Sequence, residues 1–204
     1  MSRPDASTCI CVTQPEEEPV SLFELKAHLR VDGSDEDNLL SMILTAARER
    51  IEQETRRALI RQQWTAYIKN AGCGNLPVEL PRPRLMPDGV LLEYRDTAGA
   101  WHASTDFMVQ SAREPALLWI TASPSGIDSP RSPEDAVWRV TYWSGYGSDS
   151  AAVPGPLKHA ILLLSAHLEK NREIVSTGAS VSEIPKSLDW MLDPCRVPWG
   201  GGIK

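Results

Sequence analysis

Two blocks of this chain repeat apolar residues every three or four positions, and the stretch between them repeats every second position. In the first block Leu22, Leu25 and Leu29 share one helical face. Ser21 stands where an N-cap belongs, Glu24 completes a capping box, and Val20 is placed to staple onto Leu25. Asp32-Gly33 is read as the stop. Ser34 and Asp37 are read as a second cap pair, opening a long amphipathic helix that ends near Arg57. Leu39, Leu40, Ile43, Leu44, Ala47 and Ile51 form its apolar face, with Arg48, Glu49, Glu52 and Arg56 on the outer one.

Strand spacing follows. Ile60, Trp64, Ala66 and Ile68 alternate with mostly polar neighbours. VELPRP, from Val78 to Pro83, is a short extended piece whose prolines place it at an edge or strand end. Val90–Arg95, the turn Asp96–Gly99 and Ala100–His102 predict a hairpin. Phe107–Gln110, Ala116–Thr121 and Val137–Trp143 are further strands, with a turn at Ser123–Gly126. Trp64, Trp101, Trp119, Trp138 and Trp143 all fall in this region, where large rings fill a small β core quickly.

Helical spacing returns after Pro156, a favoured first helical residue. Leu157, Ala160, Ile161, Leu164 and Leu168 make one stripe. Leu162, Leu163 and Ala166 widen it, which predicts a heavily buried helix, with Lys170 and Arg172 suiting its C-terminal end. Thr177–Ser182 reads as a loop, and Ile184–Leu192 as a last short helix stopped by Pro194. The fold class is therefore α+β, a β insert between helices. Residues 1–19 read as a flexible arm, 20–58 as N-terminal helices, 59–145 as the inserted β domain, 146–193 as C-terminal helices and 194–204 as a tail.

Charge narrows the function. A net charge of −6 over 204 residues suits neither a tight grip on DNA nor an anionic membrane, both of which need clustered Lys and Arg. Arg82, Arg84 and Arg95 form the only modest basic patch. The longest apolar run, Ala160–Leu164, is far short of the roughly eighteen residues of a membrane span. The N-terminus lacks a basic region followed by an apolar core, so a cytoplasmic site of synthesis is expected. Cys9, Cys11, Cys73 and Cys195 have no zinc-site spacing and read as free thiols; a Cys9–Cys73 disulfide is the less favoured alternative.

The segment WSGYGSDSAAVPGPLKHAILLLSAHL suggests several chemistries in turn. A GYG channel filter needs membrane helices around it. A dinucleotide loop needs a third glycine and free N–H groups, and Pro156 removes one. His159 and His167 are eight residues apart, about 12 Å along a helix, too far to share a metal. His28 and His102 lie in no ligand motif, and neither Ser125 nor Ser144 sits in a nucleophile elbow. Acidic runs at Glu16–Glu18 and Asp35–Asp37 read as solvated faces or caps. No catalytic, cofactor or metal site is predicted, and the chain is not read as an enzyme. Gly145, Gly147, Pro154 and Pro156 are candidates for a hinge between the last strand and the helix.

The order of these features carries a resemblance. A capped helix SLFELKAHLRVDGSDEDNLL precedes the long helix ILTAARERIEQETRRALIRQQW. VELPRPRL, the tryptophan-bearing β section, VTYWSGYG, VPGPLKHAILLLSAHLEKNRE and the closing IPKSLDWMLDPCR follow. Over about residues 20–195 this resembles the head–tail connector (adaptor) proteins of long-tailed DNA bacteriophages and gene transfer agents. The resemblance implies a helical bundle of N- and C-terminal helices carrying a small antiparallel β domain. It implies a ring of self-copies, twelve expected, between the portal protein and a stopper, head-closure or tail-completion protein. DNA would pass through the middle with only transient, non-specific contact, with no cofactor and no membrane. The expected location is the virion neck, assembled in the host cytoplasm. Trp190, Arg196 and Trp199 are candidate anchors on the portal, since Trp and Arg are common hot spots. Another neck or tail structural protein, or a virion-borne cell-wall hydrolase, is the alternative.

Overall fold

The computed structural model describes residues 6–68, 77–122, 137–171 and 186–197. The chain divides into two compact units. One comprises Glu16–Ile60 with Tyr146–Arg196, the other Met1–Pro15, Arg61–Gly145 and Val197–Lys204. The predicted turn at Ser123–Gly126 and loop at Thr177–Ser182 lie outside the described residues, as do Cys73, Arg172 and Trp199.

The first unit is helical. It holds α1 (Leu22–Leu29), α2 (Asp37–Thr55), α3 (Gly155–Lys170) and α4 (Lys186–Leu192). The Ser21–Glu24 capping box forms in full: Glu24 N–H donates to Ser21 Oγ, and Ser21 N–H donates to Glu24 Oε2 at 2.7 Å. Val20 and Leu25 are both buried in the same core, as a staple requires. The stop is not Asp32-Gly33. Arg30 takes the left-handed conformation (φ 59°) and closes α1, and Gly33 (φ 89°) turns the chain further on. Ser34 and Asp37 do not cap α2 either. Glu36 occupies the cap position, its side chain making no cap hydrogen bond, and the Asp37 carboxylate instead takes the Lys26 ammonium at 2.7 Å. A charge-assisted partner outcompetes a neutral backbone N–H.

Leu40, Leu44, Ala47 and Ile51 of α2 meet Leu157, Ala160, Ile161 and Leu164 of α3, with Leu25, Leu188 and Leu192 closing the core. Arg48 and Glu52 belong inside, not on the outer face the periodicity assigned to them. α3 is buried along one stripe rather than nearly all round. Leu162 and Leu163 are half-buried and Leu168 is exposed, so the wide apolar band exceeds what this unit covers.

The second unit is β. Its larger sheet runs β1 (Ala6–Thr13), β2 (Gln62–Ile68), β8 (Trp138–Ser144), β4 (Leu85–Arg95) and β5 (Trp101–Ser104) in that spatial order. The smaller runs β3 (Val78–Glu79), β7 (Leu117–Ile120) and β6 (Phe107–Gln110), and all pairings are antiparallel. One core joins both sheets: Trp64, Ala66, Ile68, Leu92, Trp138, Val140 and Tyr142 with Val78, Leu118 and Ile120.

The flexible-arm reading is corrected here. Residues 6–13 are an edge strand, paired from Ala6↔Ile68 to Thr13↔Gln63. Cys9 and Cys11 turn toward the core while Ile10 and Val12 stay exposed, and that alternation supplies the reason to pair. Register shifts interrupt β1 after Ala6 and after Cys11, the kind of irregularity that blunts a sheet edge. The hairpin between β4 and β5 is tied by Asp96, whose Oδ1 accepts N–H bonds from Ala98 and Ala100, each 2.9 Å.

Candidate interaction surfaces

Two buried hydroxyls of β8 are engaged in structural hydrogen bonds. Ser144 is fully buried, and its hydroxyl donates to the carbonyls of Arg82 and Arg84. Two residues earlier on the same face of β8, Tyr142 Oη donates to Pro81 O at 2.6 Å. These two side chains hold the PRPR segment against the sheet. Burial pushes the Tyr142 hydroxyl well above its ordinary pKa, and burial raises that of the Cys9 thiol beside it. Cys9, Cys11 and Cys195 are free thiols.

Two members of the basic patch expected from Arg82, Arg84 and Arg95 are engaged locally. Arg82 lies over the Trp64 ring (4.9 Å) and Arg84 pairs with Glu114 (2.9 Å). The histidines pair differently from the sequence spacing. His159 meets His28 of α1 edge-on, ring centres 6.5 Å apart, while His167 lies by Asn171. His102 Nε2 sits 2.6 Å from Asp96 Oδ2, and that hydrogen bond with the two from the turn lowers the Asp96 pKa. Among the described residues no three His, Cys, Asp or Glu side chains converge to hold a metal ion.

The hinge candidates occupy defined places. The division between the units falls between Gly145 and Tyr146. Gly145 has φ 149°, and its N–H donates to Arg84 O. Gly147 packs so tightly under the 3-10 turn Ser150–Ala152 that a Cβ there would overlap Ala152 Cβ. Asp149 caps that turn, Pro154 holds the cap position of α3, and Pro156 is its second residue rather than its first.

Among the described residues, both units also expose large apolar side chains. On the β unit, the sheet face opposite the core carries the cross-strand row Ile10↔Thr65↔Thr141↔Leu91, with Ile10 and Leu91 about half exposed (50% and 47%). Around it Arg139 chelates Glu93 through two bonds (2.6 and 2.8 Å) and lies over Trp101, while Arg61 stacks on Trp143 at 3.6 Å. Arginine and aromatic residues do interleave on this face, a pattern that only strand pairing brings together.

On the helical unit the exposed large residues are Phe23 (80%), Met42 (70%) and Trp190 (79%), with Leu39 and Leu168 exposed to a lesser degree (37% each). Leu39, Met42 and Ala46 form a second α2 stripe, pointing away from the core. Arg196 is no free anchor. Its guanidinium bonds Asp189 at 2.6 Å, contacts Asp193, and lies 3.7 Å from Glu54. The acidic surplus belongs to this unit. It holds 17 acidic against 11 basic residues, whereas the β unit holds ten of each.

Two antiparallel sheets in one unit and four helices in the other make this an α+β protein. The fold agrees over nearly its whole length with a chain in the neck of an empty gene transfer agent (GTA) particle computed with C6 symmetry. The TM-score is 0.73 at 23% identity, covering 96% of this chain and 98% of that one. A chain in the virion of a native GTA particle gives 0.71 at 22% identity, and one in a native GTA neck computed with C12 symmetry gives 0.70 at 22%, both with the same coverage. Residues 19–105 match the family of phage gp6-like head-tail connector proteins, so the resemblance read from the order of motifs is borne out. No curated protein matches the chain.

Proposed function

We propose that this chain is a structural ring component of a phage or gene transfer agent neck, a head–tail connector, and not an enzyme. The observation that carries the reading is a double one: the connector-family match at residues 19–105 and a fold shared end to end with neck chains. The C6 and C12 symmetries belong to those particles, and they support a ring here, with twelve copies the natural number. The helical unit serves as the bundle and the β unit as its inserted domain, now joined by the N-terminal strand.

In this reading the portal lies above, a stopper or tail-completion protein below, and DNA passes through. A conduit gains from weak phosphate contact, since each neutralised phosphate adds affinity and slows passage. The arginines fit: Arg48, Arg61, Arg84, Arg139 and Arg196 all face carboxylates of their own chain. The tail beyond α4, with Trp199, is the portal-facing element.

The experiment is deletion of the gene from the producing phage or gene transfer agent. DNA-filled heads without tails are the expected product. Complete tailed particles would overturn the proposal.

A further inference from the structure

Closed rings are built from heterologous contacts, in which one patch of a subunit meets a different patch on its neighbour. The helical unit carries two patches that answer each other. The first is a knob. Trp190 projects from α4 at 79% exposure, far above what an unbound indole ordinarily shows. Beside it Asp189 and Asp193 share one guanidinium, that of Arg196, while Glu54, 3.7 Å from the same group, is paired with Arg50 at 2.6 Å, so two carboxylates divide one cation and the rim is left acidic.

The second is a socket. A surface concavity of about 500 Å³ opens beside α1, with Phe23, Ala27 and Val31 as its apolar lining and Lys26, Arg30 and Asp32 as its polar one. Lys26 is held by Asp37, and Arg30 makes no ion pair among the described residues. The socket thus offers an exposed aromatic ring, room for an indole, and in Arg30 a cation that makes no ion pair among the described residues, although Asp32 lines the same concavity. The knob offers an indole and a surplus of carboxylate. α1 packs on α2 and α3, and α4 packs on α3, so both patches are carried by one rigidly packed core.

We infer that Trp190 of one copy seats in the Phe23–Ala27–Val31 concavity of the next, with Arg30 meeting the acidic rim around Asp189, and that this is a ring-closing contact. The occupant is a second copy of this chain. The inference rests on the connector reading and adds the residues of the subunit contact. It also reassigns Trp190 from a portal anchor to a subunit anchor.

The test uses full-length chains incubated with portal rings and viewed by negative stain, with particle mass measured in parallel. Trp190→Ala removes the knob and Ala27→Glu fills the socket with bulk and like charge. Both positions are exposed, and thermal melts confirm that each variant folds. Wild type is expected to form collars on the portal, and each variant to lose subunit association by roughly tenfold or more. Mixed variants restore one contact in two, because the intact knob of the Ala27→Glu chain fits the intact socket of the Trp190→Ala chain. Dimers then appear that neither variant forms alone. If wild-type collars form and persist in both variants, the knob-and-socket contact is wrong and the connector reading stands. Loss with Trp190→Ala but not with Ala27→Glu returns Trp190 to the portal and overturns the contact. No wild-type collar overturns the connector reading itself, and the contact with it.

Discussion

Arg48 and Glu52 form an ion pair inside the helical unit: Nη1 to Oε2 is 2.7 Å, one turn apart on α2, with Arg48 only 3% exposed. The pair is fully furnished. Arg48 Nε donates to Glu18 at 2.9 Å, and Glu52 Oε1 accepts the Leu59 N–H at 2.8 Å. Glu18 also accepts from Thr45. This network ties the segment before α1 and the segment after α2 to the helix between them. Removing one partner leaves a buried charge uncompensated, a cost of about 3–5 kcal/mol. Arg48→Met strands the Glu52 carboxylate, only 7% exposed, and is therefore expected to lower the denaturation midpoint strongly in urea. An Arg48→Met, Glu52→Gln double variant should lose much less, because no buried charge is stranded and the amide oxygen still accepts the Leu59 N–H. Equal losses in single and double variants would refute the network's role.

The cap of α1 gives a pH signature. Hydrogen bonds from the Ser21 backbone N–H and then the Ser21 hydroxyl hold the Glu24 carboxyl below its ordinary pKa. A lowered folded pKa contributes stability above the unfolded value, near 4.3, and loses it as pH falls through the folded value. Ser21→Ala is expected to cost about 1 kcal/mol at neutral pH. Glu24→Gln, which removes the titrating carboxyl itself where Ser21→Ala would keep the backbone bond, should flatten the decline in melting temperature below about pH 4.5. An unchanged acid limb in the variant would show that Glu24 is not the responsible group.

Tyr142 acts at the other end of the scale. Burial raises its hydroxyl pKa well above ordinary, with Cys9 adding to the effect. A raised folded pKa leaves stability intact below the unfolded value, near 10, and removes it as pH rises through the folded value. Wild type should therefore lose stability above about pH 10, and Tyr142→Phe should lack that portion of the loss. At neutral pH the same variant strands the Pro81 carbonyl and costs about 1–3 kcal/mol. Paired melts at pH 7 and pH 11 separate the two effects.

The parts of the fold legible in the sequence were those set by local period. Leu40, Leu44, Ala47 and Ile51 announce the inner face of α2, and Trp64, Ala66 and Ile68 that of β2. The Ser21–Glu24 box is local as well, and it formed as written. What stayed hidden depends on distant partners. β1 was obscured because prolines and the acidic run at residues 15–19 coloured the whole N-terminus, although TCICVT alternates on its own. Arg48 and Glu52 look like surface charges until Glu18 and Leu59 arrive from elsewhere. The Lys26–Asp37 pair displaced a cap that was chemically sound in isolation. Of the anchor candidates, Trp190 stands exposed, whereas Asp189 and Asp193 already engage Arg196, which the sequence could not show. The socket around Phe23, Ala27 and Arg30 joins a helix face to the turn beyond it, and no spacing rule marks such a site.

Gly147 offers a last test, one that separates a loose joint from a fitted one. The GYG triplet follows the final strand, and glycine pairs are commonly read there as slack. Yet Gly147 is held under Ala152, and Asp149 caps the turn between them by accepting the Ala151 N–H at 2.9 Å. Adding a methyl group forces the Ser150–Ala152 turn outward, and Val153 and Leu157, both buried in the helical core, follow directly. Overpacking of this kind costs about 1–3 kcal/mol. Gly147→Ala is expected to lower the melting temperature and to speed amide exchange in the first turn of α3, leaving β2 and β8 protected. A silent substitution would mean that the turn yields freely, and that residues 145–156 are slack chain rather than a fitted connection.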